Sequence, residues 1–473
     1  MKFNVNVKQG VEVKVIYEDT ITCEVLSKLV STKLFEAKLG QMYIHLLEDG
    51  NLVVYLGLGK EKELSLKDLR VTFYNFAKKL IDSNIQEIAM DIPKINGLCS
   101  YKTALNIAEG MLCSEYTYDI FKTQKKVSQE LVVNYNVNPE KYQKVVEGIK
   151  EAKCIVNGMF LTRNLVNQPA NVIYPESLAK IVQEEFKHSN VNVQIYGLEE
   201  IKELNMHAFL NVARASSKEP KLIVIEYLND SSSTEKIGLI GKGVTYDSGG
   251  LAIKPAASMV TMYDDMGGSA TVIGAIKALA NANVKCNVVG VVAACENMIS
   301  GDAYRNGDII ESMSGKTIEI INTDAEGRLT LADAIYYATS HLECTKVIDI
   351  ATLTGACVSA LGEQVSGIVT NNQDFYHQLE EASVKAQEYL HLFPNLPYYE
   401  NMNKSEVADI KNSGGKYGGA ITAGLFVGSF LAKDVPWLHI DIAGTAYIST
   451  PYDCNVKGAT GSMVKTLYYL MKN

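Results

Sequence analysis

The sequence predicts an α/β protein of two domains: a smaller N-terminal α/β domain, and a larger C-terminal α/β domain with a mainly parallel central sheet, joined by a long helix. Three observations carry that prediction. Strand-like and helix-like stretches alternate in both parts of the chain, the pattern that places helices over parallel sheets. A length of 473 residues exceeds one ordinary core. One long run of helical periodicity separates the two alternating regions. A hydrophobic share of 47% with 21% charged residues fits a folded chain rather than a disordered one.

In chain order, Phe3, Val5 and Val7, then Val11, Val13 and Val15, alternate as in strands, and Met1 to Tyr17 holds no apolar signal core. A strand is expected from Leu52 to Leu58. Ser65 is placed to cap a helix with Leu69, Phe73, Phe76, Ala77 and Leu80 on one face. Glu87 to Ile92 returns as a strand, and Ser100 is placed to cap a second helix reaching Cys113. Residues 1–137 contain no cluster of ligand-type side chains, so they read as a scaffold or assembly domain. Asn138-Pro139 joins a capping side chain to a proline at the first helical position. Apolar residues from Tyr142 to Met159 follow at helical spacing, and the pattern stops near Gln168-Pro169, which marks 138–165 as the linking helix and 166–473 as the second domain.

In the second domain the expected strands are Leu222–Leu228, Lys236–Ile240, Asn287–Ala293, Thr317–Ile321, Val347–Ala351 and Leu438–Ile442. Helical stretches fall at Thr271 to Ala282, Leu329 to Thr339 and Ala420 to Ala432. In such a sheet ligands sit beyond the carboxyl ends of strands.

Composition excludes some classes. A net charge of −9 disfavours a general nucleic-acid coat, which needs a basic surface, and suits a pocket that concentrates cations. The nine cysteines are an odd number without CxxC spacing, mostly in apolar settings, which points to a reducing compartment. The longest strongly apolar run, Val288 to Cys295, is far shorter than the ~18 residues of a membrane span. A soluble cytoplasmic protein without a membrane partner is expected.

Three expected strand ends carry polar or glycine-rich sequence: Gly241-Lys-Gly-Val-Thr-Tyr-Asp-Ser-Gly-Gly250 with Lys254 beyond it, Asn322-Thr-Asp-Ala-Glu-Gly-Arg-Leu329, and Thr352-Leu-Thr-Gly-Ala356. A further acidic pair, Asp264-Asp265, precedes Met266-Gly267-Gly268 and a helix. Taken singly, each has an ordinary explanation: an exposed lysine, a helix cap, a turn. Taken together on one sheet edge, Asp247, Asp265, Asp324 and Glu326 would repel strongly unless cations neutralise them. Oxygen-rich sites of this kind suit hard or borderline divalent metals, and carboxylates can bridge a metal pair. None of the seven histidines lies in these segments, which disfavours a histidine-based zinc site.

These segments resemble the leucyl (cytosol) aminopeptidase family. Asn322 to Leu329 is similar to its signature; Gly241 to Gly250, Ile253-Lys254-Pro255 and Asp265 to Gly268 are similar to its other motifs, in order and spacing. Arg163 to Pro169 and His439 to Gly444 resemble segments at the two ends of its catalytic domain, and the residues before the linking helix match only in layout. The resemblance implies a metallo-exopeptidase with two divalent ions per chain, Mn²⁺ or Zn²⁺, acting on peptide substrates as a homo-hexamer. It places one ion on Lys242, Asp247, Asp265 and Glu326, and the other on Asp247, Asp324 (carboxylate and main-chain carbonyl) and Glu326. It implies that Lys254 meets the oxyanion and that Arg328, with the Leu353 backbone, holds a bicarbonate ion as general base. Met262, Thr352 and Gly355 would shape the pocket for the first side chain. Asp264 departs from the family pattern, where a neutral or basic residue is usual. Two other functions share the sequence features: a two-metal phosphoesterase, for which a single arginine and Lys254 make a thin phosphate clamp, and a DNA-binding accessory protein, which the acidic charge disfavours.

Overall fold

The computed structural model describes residues 1–21, 23–125 and 129–472. The chain divides into two compact units, Met1–Val156 with Pro451–Val456, and Asn157–Thr450 with Lys457–Asn473.

The first unit is built on six strands: β1 (Lys2–Val5), β2 (Val11–Ile16), β3 (Met42–Leu46), β4 (Leu52–Gly57), β5 (Glu87–Asp91) and β6 (Val132–Asn136). Their order is β1-β6-β5-β2-β4-β3, and every neighbouring pair is parallel except the antiparallel β3 and β4. Ser65 caps the Leu66–Asp82 helix as expected: its Oγ accepts from Asp68 N, while Asp68 Oδ2 accepts from Ser65 N. That helix buries Leu69, Phe73, Phe76, Ala77 and Leu80. In the next helix, Ser100–Cys113, Ser100 is already helical and the cap position falls on Cys99. Asn138 precedes a short 3₁₀ turn, Pro139–Lys141, and makes no capping bond; the α-helix proper is Tyr142–Val166. This helix runs through the point in the sequence where the two units divide.

The second unit holds an eight-stranded sheet of β7 (Asn192–Tyr196), β8 (Lys221–Leu228), β9 (Ile237–Asp247), β10 (Asn287–Asn297), β13 (Lys346–Ala351), β14 (Val365–Thr370), β15 (Tyr389–Leu392) and β17 (Trp437–Asp441). The three strands between and beside them, β11 (Ile309–Glu311), β12 (Thr317–Glu319) and β16 (Ile410–Lys411), form a sheet of their own. In the large sheet the order is β15-β14-β17-β13-β9-β10-β8-β7, and the central run β17-β13-β9-β10 is all parallel. Burial on both faces explains why β10 reads as an unbroken apolar run.

Two expectations are corrected here. The glycine-rich stretch after Ile240 is not a loop: β9 continues through it to Asp247. Gly241 makes room for the Gly267–Asn281 helix, since a Cβ there would stand 2.5 Å from Ser269 Cα, and Gly243 makes room for β10, where a Cβ would stand 2.9 Å from Ala293 O. The strand expected from Thr317 does not join the large sheet. A turn through Gly315, at φ 81°, folds β12 back on β11 as a hairpin, and its other neighbour is β16.

Candidate metal centre

The parallel run of strands brings the ligand-type residues to one place. The carboxyl half of β9 carries Lys242 and Asp247; the turn before the Gly267–Asn281 helix carries Asp265; the segment from β12 into the Gly327–Ser340 helix carries Asp324 and Glu326. One oxygen each of Asp247, Asp265 and Glu326 lie within 4.8 Å of one another. Lys242 Nζ donates to Asp265 Oδ1 at 2.7 Å and to Thr352 O at 3.0 Å, and stands 2.9 Å from Glu326 Oε1. Lys254 Nζ stands 2.8 Å from Asp247 Oδ2 and 2.6 Å from Asp324 Oδ1. Lys242, Asp247, Asp265 and Glu326 are buried, and Asp324 and Lys254 half-buried.

Electrostatics mark the cluster as short of cations. Burial, with repulsion from Glu326, pushes the Asp247 carboxyl up to about 6. Asp265 lies well above the ordinary carboxylate range, chiefly through burial, although Lys242 pulls the other way. Burial also opposes ionisation of Glu326, but Lys242 and Lys254 outweigh it and hold that carboxyl low. Burial works against the Lys242 ammonium too, and the charges of Asp265, Glu326 and Asp247 outweigh it, holding the amine above its ordinary value. With all four carboxylates ionised, the two ammonium groups would leave two negative charges in surplus, and the cluster resists that charge by holding protons on Asp247 and Asp265. Clustered carboxylate oxygens with an adjacent amine fit a divalent cation of hard or borderline character. The residues present therefore fit a metal centre.

Of the remaining sequence-derived residues, Thr352 meets the cluster directly. Thr352 Oγ1 donates to Asp265 Oδ1 at 2.9 Å. Gly355 opens the Gly355–Leu361 helix, where a Cβ would meet no atom within 4 Å. Met262 begins a half-buried 3₁₀ turn, Met262–Asp264. Arg328 is buried, donates from Nη1 to Asn412 O at 2.7 Å, and is pushed down to about 10 by burial. The Leu353 N–H donates to Asp441 Oδ1 at 3.2 Å. Of the acidic pair, Asp265 and not Asp264 supplies the clustered oxygen, while burial lifts the Asp264 carboxyl to about 7. His439 lies in the core, its Nδ1 2.6 Å from Asp349 Oδ1.

Sequence reasoning missed Gly327 and Asn297. A Cβ at Gly327 would come within 2.3 Å of Lys242 Cε, so only glycine leaves the lysine its place. Asn297 Nδ2 donates to Asp247 Oδ1 at 2.8 Å. Glycine has no side chain and a lone neutral amide does not stand out, so only cross-strand register and close approach reveal them.

Known proteins resemble this chain over nearly its whole length. The model of the cytosol aminopeptidase family, catalytic domain, matches residues 160–468, and the model of that family's N-terminal domain matches residues 8–125. The chain is 58% identical over 472 residues to a probable cytosol aminopeptidase of Treponema denticola, covering 100% of this chain and 99% of that one. It is 45% identical over 477 residues to a probable cytosol aminopeptidase of Clostridium tetani, again with 100% and 99% coverage. Among solved structures, the bottromycin maturation enzyme BotP in complex with Mn matches with a TM-score of 0.87 at 30% identity, over 98% of this chain and 99% of that chain.

Proposed function

The chain belongs to the cytosol aminopeptidase family, and from that premise we propose that it removes single residues, leucine and other apolar ones first, from the free amino ends of peptides with the help of two divalent ions. The observation that carries the reading is the gathering of Asp247, Asp265 and Glu326 oxygens within 4.8 Å, flanked by Asp324, Lys242 and Lys254. One ion would be held by Lys242, Asp247, Asp265 and Glu326, the other by Asp247, Asp324 and Glu326. Manganese or zinc suits this set of donors.

Bound there, such a pair supplies a Lewis acid for the scissile carbonyl and lowers the pKa of water towards about 7. The chain's own residues do the rest. Asp247 and Glu326 outweigh the burial that disfavours the Lys254 ammonium and hold its proton on more tightly than usual. Lys254 can donate to the oxygen that turns negative as water adds; such a donor typically takes ~3–4 kcal/mol off the barrier. Arg328, with the Leu353 backbone, would hold a bicarbonate ion that takes up the proton of the attacking water. Met262, Thr352 and Gly355 would shape the pocket for the first side chain; a Cβ at Gly355 would meet no atom within 4 Å, and none of the three carries a charge, which suits an apolar residue.

The test is release of p-nitroaniline from leucine p-nitroanilide by purified protein, with Mn²⁺ added and then chelated. Activity should appear with the metal and vanish with the chelator. A peptide with an acetylated N-terminus should resist, and equal cleavage of free and acetylated peptides would rule out recognition of the amine. The family likeness also supports a cytoplasmic homo-hexamer. Light scattering that shows a monomer of the 51.9 kDa chain at micromolar concentration would exclude that assembly.

A further inference from the structure

The register between β9 and β10 breaks once, just before the metal cluster. Cys295 is opposite Val244, but Glu296 is opposite Tyr246, so Thr245 is an extra residue on β9. This is a β-bulge, and its side chain Oγ1 donates to Cys295 O at 3.2 Å. In an unbroken register Asn297 would fall opposite Tyr246. The bulge instead sets Asn297 opposite Asp247.

Asn297 is fully buried, and both hydrogens of its amide are used: Nδ2 donates to Asp247 Oδ1 at 2.8 Å and to Thr323 O at 3.0 Å. Its main-chain carbonyl accepts from Ser248 N and Ser248 Oγ, at 3.0 and 2.8 Å. The amide oxygen is buried without a hydrogen-bond partner. Turning the amide over would not satisfy it, because the oxygen would then face a carboxylate and a carbonyl, both acceptors. The donors are thus spent on Asp247 and Thr323 at the cost of a stranded acceptor, which a residue kept only for packing would not need. Asp247 Oδ1 also accepts from Gly249 N at 2.9 Å, while Oδ2 is the oxygen turned to Lys254. Thr323 O, in the residue before Asp324, is gripped a second time by Tyr304 Oη at 2.7 Å.

We infer that Asn297 is a positioning residue for the metal pair: it commits one oxygen of Asp247 to protein hydrogens, leaves the other for cations, and locks Asp247 to the main chain beside Asp324. The inference rests on the two-ion reading above. It explains why the bulge sits at Thr245, since without it the amide would miss the carboxylate.

The experiment is Mn²⁺ binding to the full chain, read by equilibrium dialysis and by the exchange-coupled EPR signal of a bridged ion pair, with Tm of the metal-free protein measured alongside. In Asn297→Ala and Asn297→Asp the affinity for one ion should fall 10–100-fold, the usual effect of removing a residue that orients a metal ligand. The coupled signal should disappear at Mn²⁺ concentrations that saturate the wild type, while Tm of metal-free Asn297→Ala shifts by only a few degrees. Asn297→Asp keeps the shape and replaces the donors by a carboxyl whose charge would by itself favour cations, so a fall in affinity there reads the lost grip on Asp247 even where alanine loosens the packing. Either folded variant holding both ions with wild-type affinity and coupling overturns the inference. So does loss of the fold in both variants, which would make Asn297 structural. A wild type that takes a single uncoupled ion overturns the two-ion reading instead, and the role of Asn297 is then decided by whether that ion's affinity drops in Asn297→Asp.

Discussion

Lys242 carries the sharpest chemical demand of any residue in the site. Its amine binds a metal only when neutral, yet Asp265, Glu326 and Asp247 hold its proton on more tightly than usual. Metal uptake should therefore release a proton, and occupancy of that one position should weaken as pH falls. Lys242→Arg keeps a charge that cannot be lost in a protein, so it should hold one ion fewer per chain after gel filtration. Two ions retained, with unchanged pH dependence, would remove Lys242 from the ligand set. Gly327→Ala should give a similar loss by another route, because its methyl would stand 2.7 Å from Lys242 Nζ. Lys254→Ala tests a different step: kcat should fall far more than KM rises, since its proposed contact strengthens only in the transition state. A rise confined to KM would show that Lys254 serves ground-state binding. In the sequence the four carboxylates stood out as a group, and Lys242, Lys254 and Arg328 only through the family resemblance. Asn297 and Gly327 did not stand out, because a neutral amide and a missing side chain acquire their roles only from a bulged register and a close approach.

At the scale of elements, legibility followed how apolar a strand is. The strands β9, β10, β13 and β17, buried between others, announce themselves by apolar runs. The edge strands β7 and β15 are short and mixed in character, and β14 carries Ser366 and Gly367, so none of the three was anticipated. The strand at Thr317 was assigned to the wrong sheet, and its hairpin partner β11 was not anticipated, because periodicity does not say which partner a strand takes. One buried side chain ties this hairpin down. Asp333, on the Gly327–Ser340 helix, accepts from Met313 N at 2.8 Å and from Phe209 N at 2.9 Å, near the start of the His207–Ala213 helix. Burial pushes its carboxyl up to about 7, although those N–H groups favour the charge. With the folded value above the ordinary one of 3.8, the native state holds this proton more tightly than the unfolded state. The contribution to stability is therefore full below about pH 4 and is lost as pH rises towards 7. Asp333→Asn cannot ionise but offers one acceptor oxygen in place of two. Denaturant unfolding should show it destabilised at pH 5 by ~1–3 kcal/mol for an N–H left unpaired, with that part of the pH 4–7 slope gone. An unchanged slope in the variant would assign the dependence to other groups.

At the scale of the molecule, the division into two units was legible because a helix of 25 residues interrupts two regions of strand and helix alternation. How the two regions share the work was legible only from where the motifs fall. Among the described residues, the clustered carboxylates all lie in the second unit, on elements that are far apart in sequence: β9, the turn at Asp265, and the start of the Gly327–Ser340 helix. In the unfolded chain those carboxylates are dispersed and bind a cation weakly; folding gathers them with a surplus of negative charge. Metal binding should thus stabilise the native state by mass action, by ~2.7 kcal/mol for one site at a free ion concentration of 100 times Kd. The gain should also be local. Hydrogen exchange with and without Mn²⁺ should slow in β9, in the Gly267–Asn281 helix and in the Gly327–Ser340 helix, because their ends carry the proposed ligands. Amides of β2, β4 and β5 in the first unit, which supplies no ligand, should exchange at the same rate in both conditions. Protection that rises equally in both sheets would mean that the ion acts on the molecule as a whole, and no change in β9 would mean that it binds elsewhere.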